Sequence, residues 1–181
     1  MNKKELRKYW IEELKKSKMP SLIKVQEILY SNPIIQKADN IFAYVPFKTE
    51  INIEGFIDEI IKTKNVFLPV CSKERELNFC KINKQWKNNL ERSENKTLVP
   101  RIKAITPYTE IKGFTVILIP GLAFNLKKYR LGRGGGYYDT LLEKLKDNKN
   151  FYSVGLCMKK QIISNLSPDI FDRPMNDLII I

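Results

Sequence analysis

The residues best equipped for chemistry crowd into one decapeptide, RLGRGGGYYD, from Arg130 to Asp139. Gly134, Gly135 and Gly136 lack a Cβ, so their backbone can take positive φ and approach a ligand closely. Successive N–H groups in such a turn converge on phosphate oxygens. A helix starting just after them aims the positive end of its dipole at the same spot. Arg130 and Arg133 add forked donors that suit phosphate. Asp139, about one turn into that helix, is placed to hold a Mg2+ shared with the phosphates. The alternative reading is a tight turn with surface arginines. The spacing is not a Walker A loop, because no Lys-Ser/Thr pair follows the glycines, and it is not GxGxxG.

Before the decapeptide, Thr115–Ile119 (TVILI) is a continuous β-branched apolar run, the pattern of a strand buried on both faces. Pro120 and Gly121 break it. After the glycines, Tyr138, Leu141, Leu142 and Leu145 recur at helical spacing. The order is therefore buried strand, loop, glycines between arginines, helix.

The rest of the chain supplies more of the same alternation. Residues 2–18 predict an amphipathic helix with Leu6, Trp10 and Leu14 on one face. Lys3, Lys4, Arg7 and Lys8 sit near its start, where cations oppose the helix dipole. They are either exposed at small cost or lie near a bound anion. SLIKVQEILYS predicts a second helix, Ile41–Val45 a strand, and a helix then runs through Ile57, Ile60 and Ile61. Asn65–Val70 and Leu77–Ile82 read as strands with a charged turn, CSKERE, between them. Residues 83–112, rich in Lys, Asn and Pro, predict a long mobile surface loop with at most a short extended piece. Phe151–Leu156 and the closing DLIII predict strands. Strands alternating with helices imply one α/β domain over 1–181, a three-layer α/β/α sandwich with a largely parallel sheet.

Composition narrows the chemistry further. The chain has 181 residues, a net charge of +12 and no histidine. That removes the usual general base and every Ser-His or Cys-His triad. Catalysis must rest on carboxylates, Lys, Arg, Tyr, backbone amides or an oxygen-ligated metal. The lysines are spread over the whole length, which reads as solvated surface. Cys71, Cys80 and Cys157 form no CxxC pair and read as reduced thiols. The charged N-terminal stretch has no apolar segment of signal-peptide type, and no run is long enough for a membrane span. A soluble cytoplasmic protein is expected.

PGLAF followed by RLGRGGGYYD resembles the signature of the 5-formyltetrahydrofolate cyclo-ligases, or methenyltetrahydrofolate synthetases. KKELR, the IFAYV…Glu50 unit, NVFLP, VGL…Gln161 and Asp172 agree with it in order and spacing. The resemblance implies an ATP-dependent enzyme that converts 5-formyltetrahydrofolate, polyglutamylated or not, into 5,10-methenyltetrahydrofolate on a single α/β/α domain. It implies Arg130, Arg133 and Tyr137 as catalytic residues. ATP would be held by Lys3, Lys4, Glu5, Leu6 and Arg7, and by Arg130, Leu131, Gly132, Arg133, Gly134, Gly135, Gly136, Tyr137 and Tyr138. The folate would meet Val45, Glu50, Arg133, Gly134, Gly135, Gly136 and Tyr137, and Mg2+ would be held by Asp139 and Asp172. The chain departs from the family pattern at Asn125 (usually Asp), Lys128 (usually Gly), Thr106 (Glu before Pro) and Phe171 (often His). A monomer is expected, with no nucleic-acid or membrane partner. Two other readings stay open: a nucleic-acid binder, from the basic charge and Arg-Gly cluster, and a phosphate-binding α/β protein acting on a sugar phosphate or CoA ester.

Overall fold

A computed structural model describes residues 1–72, 76–93, 97–101 and 104–181. The first helix, α1 (Lys3–Lys16), starts at a capping box. The Asn2 side chain accepts from the Glu5 N–H at 3.0 Å and the Glu5 carboxylate accepts from the Asn2 N–H at 3.0 Å. These bonds satisfy two N-terminal donors and put a negative charge in the first turn, offsetting the nearby lysines. Then come α2 (Leu22–Ser31), α3 (Pro33–Lys37), β1 (Asn40–Phe42) and α4 (Glu54–Ile60). The chain continues through β2 (Asn65–Cys71), β3 (Leu77–Lys81), β4 (Leu90–Arg92), β5 (Leu98–Pro100) and β6 (Ile105–Thr106). It ends with β7 (Thr115–Ile119), β8 (Ala123–Phe124), β9 (Arg130–Leu131), α5 (Tyr137–Leu145), β10 (Phe151–Cys157) and β11 (Asp177–Ile180).

Seven strands form the central sheet in the order β11-β10-β7-β1-β2-β3-β6. From β11 to β2 every pairing is parallel, and β3 and β6 close one edge antiparallel. β7 lies between β10 and β1, and all five of its residues are buried. Because side chains alternate across a strand, Val116 and Leu118 enter one core layer, while Ile117 and Ile119 enter the other. The first layer packs α2, α3 and α4 through Val25, Leu29, Ile35, Phe56, Ile57 and Ile60. The second packs α5 through Leu141, Leu142 and Leu145. This is the three-layer sandwich with a largely parallel sheet. Helix α1 stands apart from both layers. Its Leu6, Trp10 and Leu14 pack on Leu122, Ala123, Leu131, Met158 and Leu166, around the segment that leaves β7.

The described residues between 83 and 112 are not the long loop that composition predicts. Trp86 is buried in the first core layer, and its indole N–H donates to Asp58 Oδ1 at 2.9 Å. β4 and β5 then pair as a hairpin, and β6 joins the sheet beside β3. A single aromatic anchor among lysines and asparagines leaves no periodic pattern to read, so burial of Trp86 and Val99 is invisible to such a scan. Lys73–Arg75 of the expected charged turn lie outside the described residues, as do residues 94–96 and 102–103.

Candidate active site at the switch point of the sheet

β1 and β7 are neighbours, yet the chain leaves β1 toward β2 on one side and β7 toward β10 on the other. A crevice opens beyond the carboxyl ends of the strands where the order reverses in this way. Two loops face it: residues 43–53 after β1, and the hairpin β8–β9 with the glycine segment after β7.

Each loop is tied down by buried polar groups. Gln161 donates from Nε2 to the carbonyls of Gly121 and Leu122 at 3.0 and 3.1 Å, and its Oε1 accepts from the Met158 N–H. Asn125 accepts from the Tyr129 N–H at 3.0 Å and donates from Nδ2 to the Leu166 carbonyl at 2.9 Å. A carboxylate could not make that second bond, so Asn suits this position. Lys128 takes φ 67, the left-handed region where glycine is at home and where the family pattern has Gly. Its Nζ reaches the Asn176 carbonyl at 2.5 Å. Both departures therefore leave the turn intact.

Beyond the hairpin, Gly134 and Gly136 have φ of 104 and 73, as the glycine run predicts. Gly136 is the residue before α5 and offers no side-chain cap, so the first N–H groups of the helix face the crevice without one. Gly132 is tight for a different reason. A Cβ there would lie 2.4 Å from Nη1 of Arg130, so the end of that side chain would have to shift.

The two arginines behave differently. Arg130 is buried beneath the loop. Its Nη2 donates to Asp139 Oδ2 at 3.0 Å, its guanidinium lies 5.3 Å from the Tyr138 ring centre, and its Nε has no partner. Arg133 stands over the crevice and spans it. Its Nε donates to Glu50 Oε1 at 3.2 Å, its Nη2 to the Thr49 hydroxyl, and its Cζ lies 4.4 Å from the Phe47 ring centre. Glu50 is buried, and its Oε2 accepts from the Phe47 N–H at 3.0 Å. Burial raises the Glu50 pKa, and the Phe47 N–H and the Arg133 guanidinium only partly offset it. Burial likewise raises the Tyr138 and Tyr44 hydroxyls, each further opposed by Glu50. The Tyr44 hydroxyl donates to the Ile51 carbonyl at 2.8 Å.

Helix α1 closes the third side. Arg7 donates from Nε to the Gly132 carbonyl at 3.0 Å, and its guanidinium borders Gly134. Lys3 reaches Asp169 at 2.7 Å and also Asp172. Partial burial disfavours its charge, but the bonds to Asp169 and Asp172 prevail and raise its pKa. Asp172 precedes Arg173, whose backbone N–H points at Asp139 Oδ1, so the two carboxylates expected to hold a metal share one rim.

A model of the 5-formyltetrahydrofolate cyclo-ligase family matches residues 2–181. The chain belongs to that family. A 5-formyltetrahydrofolate cyclo-ligase of Haemophilus influenzae is 28% identical over 148 residues, 80% of this chain and 77% of its own. A probable 5-formyltetrahydrofolate cyclo-ligase of Schizosaccharomyces pombe is 27% identical over 81% of this chain and 77% of its own. The solved 5,10-methenyltetrahydrofolate synthetase of Aquifex aeolicus superposes with a TM-score of 0.76 at 26% identity, covering 98% of this chain and 89% of that one. The corresponding synthetase structure from Mycoplasma pneumoniae, at 22% identity and a TM-score of 0.69, shares the fold over 99% of this chain and 98% of its own.

For this member of the family, the structure gathers Arg7, Glu50, Arg130, Arg133, Asp139 and the glycines around one crevice, with Lys3 and Asp172 at its edge. Leu6 and Leu131 face the apolar cluster under α1, so only their backbone is available to a ligand. Glu5 closes the capping box, Lys4 is exposed, and Val45 is half-buried against the first core layer. Tyr137 is half-buried beside Gly135, where an added Cβ would lie 2.7 Å from its ring. Sequence reasoning missed Phe47 and Thr49. Their signal was proximity to Glu50 alone.

Asp139 and Asp172 suit Mg2+ of the kind taken together with substrate phosphates, which needs one or two carboxylates rather than a full protein cage. The described residues contain no cluster of three or more metal-type ligands. In this structure each carboxylate is answered by a cation of the protein itself, Arg130 and Lys3.

Proposed function

We propose that the chain converts 5-formyltetrahydrofolate and ATP into 5,10-methenyltetrahydrofolate, ADP and phosphate. Family membership supports the reaction. The observation that carries its placement is the Arg133–Glu50 contact, which joins the glycine loop to the β1–α4 loop across the switch crevice.

The chemical obstacle is the formyl oxygen, amide-like and a poor leaving group. Transfer of the terminal phosphoryl group of ATP to that oxygen, releasing ADP, makes it a good one. N10 of the folate then bonds to the formyl carbon and gives up its proton, and the C–O bond breaks with loss of phosphate, which carries that proton away as hydrogen phosphate. Both nucleophiles belong to the substrate, so a chain without histidine, serine or cysteine machinery suffices. The protein positions the reactants and meets the charge that spreads over the transferring group.

The backbone N–H groups of Gly134, Gly135 and Gly136 and the uncapped start of α5 receive phosphate oxygens. Arg133 neutralises the transferring group. Arg7, Lys3 and Lys4 grip the nucleotide from α1. Arg130, buried on Asp139, holds the loop from beneath. Glu50, Val45 and Tyr137 line the folate side, and a buried Glu50 accepts from pterin N–H groups. Asp139 and Asp172 would hold Mg2+, which supplies further neutralisation of the phosphates. The protein acts as a monomeric single domain over 1–181 in the cytoplasm, on folates with or without a polyglutamate tail. No described helix is long and apolar enough to cross a membrane.

The test mixes protein, Mg-ATP and 5-formyltetrahydrofolate and follows the methenyl chromophore in the near ultraviolet. No chromophore refutes the reading. Arg133→Ala, at a half-exposed side chain, is expected to fold and to lose about 2 kcal/mol of transition-state stabilisation, on the order of 30-fold. Turnover within about twofold of wild type removes Arg133 from this role.

A further inference from the structure

We infer that Thr49 and Phe47 are positioning residues that set the Arg133 guanidinium for phosphoryl transfer, an inference that rests on the reaction assigned above.

Arg133 sits on a glycine-rich loop, and a long side chain there would otherwise sample many rotamers. Three contacts from one short segment restrict it. Thr49 is buried, and its hydroxyl accepts from Nη2. Glu50 accepts from Nε, and the Phe47 ring lies flat-side against the guanidinium carbon at 4.4 Å. The segment is itself closed. The Glu50 N–H donates to the Phe47 carbonyl at 2.9 Å, and the Phe47 N–H donates back to the Glu50 carboxylate at 3.0 Å. The cradle is therefore a preformed turn that engages all but one edge of the fork.

Its placement matters because the turn belongs to the folate side of the crevice, whereas Arg133 belongs to the nucleotide side. Because its Nε and Nη2 rest on Glu50 and Thr49, the guanidinium bridges the glycine loop to the β1–α4 loop, between the sides assigned above to the two substrates. Neither Thr49 nor Phe47 needs to touch a substrate. They act by fixing a donor whose misplacement by an ångström is costly.

Thr49→Val keeps the buried shape and removes the acceptor. It is expected to lower kcat about tenfold or more, the scale of one hydrogen bond to a charged group, with KM for Mg-ATP within about twofold of wild type. Thr49→Ser restores the acceptor and the rate. Phe47→Leu keeps an apolar side chain but loses the ring face, and it lowers kcat in the same direction. In an Arg133→Ala background, Thr49→Val has no further effect. Melting curves and the 15N signal of the Arg133 Nε–H check folding and the loosening of the side chain. If wild type turns over and Thr49→Val matches it, or if the loss is as large without Arg133, the positioning role falls while the reaction stands. If wild type makes no methenyl product, the assigned reaction falls and this role falls with it.

Discussion

Replacing Asp139 by Ala separates two jobs that one carboxylate could hold. The Arg130 side chain is 5% exposed and that of Asp139 20% exposed, and their contact at 3.0 Å is the only salt bridge Arg130 makes among the described residues. Arg130 Nε already lacks a partner, and the Tyr138 ring is its remaining charge contact. Removing one partner of a buried pair costs about 3–5 kcal/mol, because the other charge stays buried. The exposed fifth of Asp139 lets water reach the guanidinium, which puts the expected loss at the lower end, about 3 kcal/mol. For a domain of this size that corresponds to a fall in Tm of roughly 6–12 °C. Asp139→Asn keeps an acceptor at the same distance and should lose about half as much. The assay is thermal unfolding followed by circular dichroism, without nucleotide or magnesium. A carboxylate kept only for a metal behaves otherwise, since its removal leaves apo stability unchanged or raises it. An Asp139→Ala protein melting within about 2 °C of wild type would refute the anchoring argument.

Further outcomes follow from the same geometry. Burial raises the Glu50 pKa, so in the window above the unfolded carboxylate value of about 4.3 the folded state binds more protons than the unfolded state. The Glu50 contribution is therefore fully present below that value and is lost as pH rises through the raised folded pKa. Tm measured across this window should decline relative to Glu50→Gln, and parallel curves would contradict it. Lys128→Gly relieves a left-handed lysine at φ 67 but adds unfolded-state entropy, so stability in urea should stay level or rise by up to about 1 kcal/mol. A loss of stability means the Lys128 side chain matters more than its backbone. Gly134→Ala, at φ 104, should distort the phosphate-facing turn and raise KM for Mg-ATP, while folding stability falls by only about 1–2 kcal/mol. An unchanged KM would remove Gly134 from the nucleotide site.

Much of the fold was legible because its strongest signals are local. TVILI announced a strand covered on both faces, and Leu6, Trp10 and Leu14 announced the buried side of α1. The glycine run foretold positive φ, which occurs at Gly134 and Gly136. What escaped depends on contacts between distant segments. Trp86 and the β4–β5 hairpin are anchored by the first core layer rather than by any pattern of their own. Arg130 and Arg133 flank the same glycines and look equivalent in the sequence. Only the tertiary structure buries one under Asp139 and carries the other across the crevice to Glu50. Thr49 and Phe47 read as ordinary loop residues until Arg133 is seen resting on them.

The packing of α1 has a practical corollary. The chain holds two tryptophans, and they sit in different apolar clusters. Trp86 is locked in the first core layer, hydrogen-bonded to Asp58. Trp10 packs with Leu122 and with Leu131, the last residue of the strand that leads into the glycine segment. With Trp86 exchanged for Phe, the remaining indole becomes a built-in optical gauge of how firmly the first helix is seated on the segment that leaves β7.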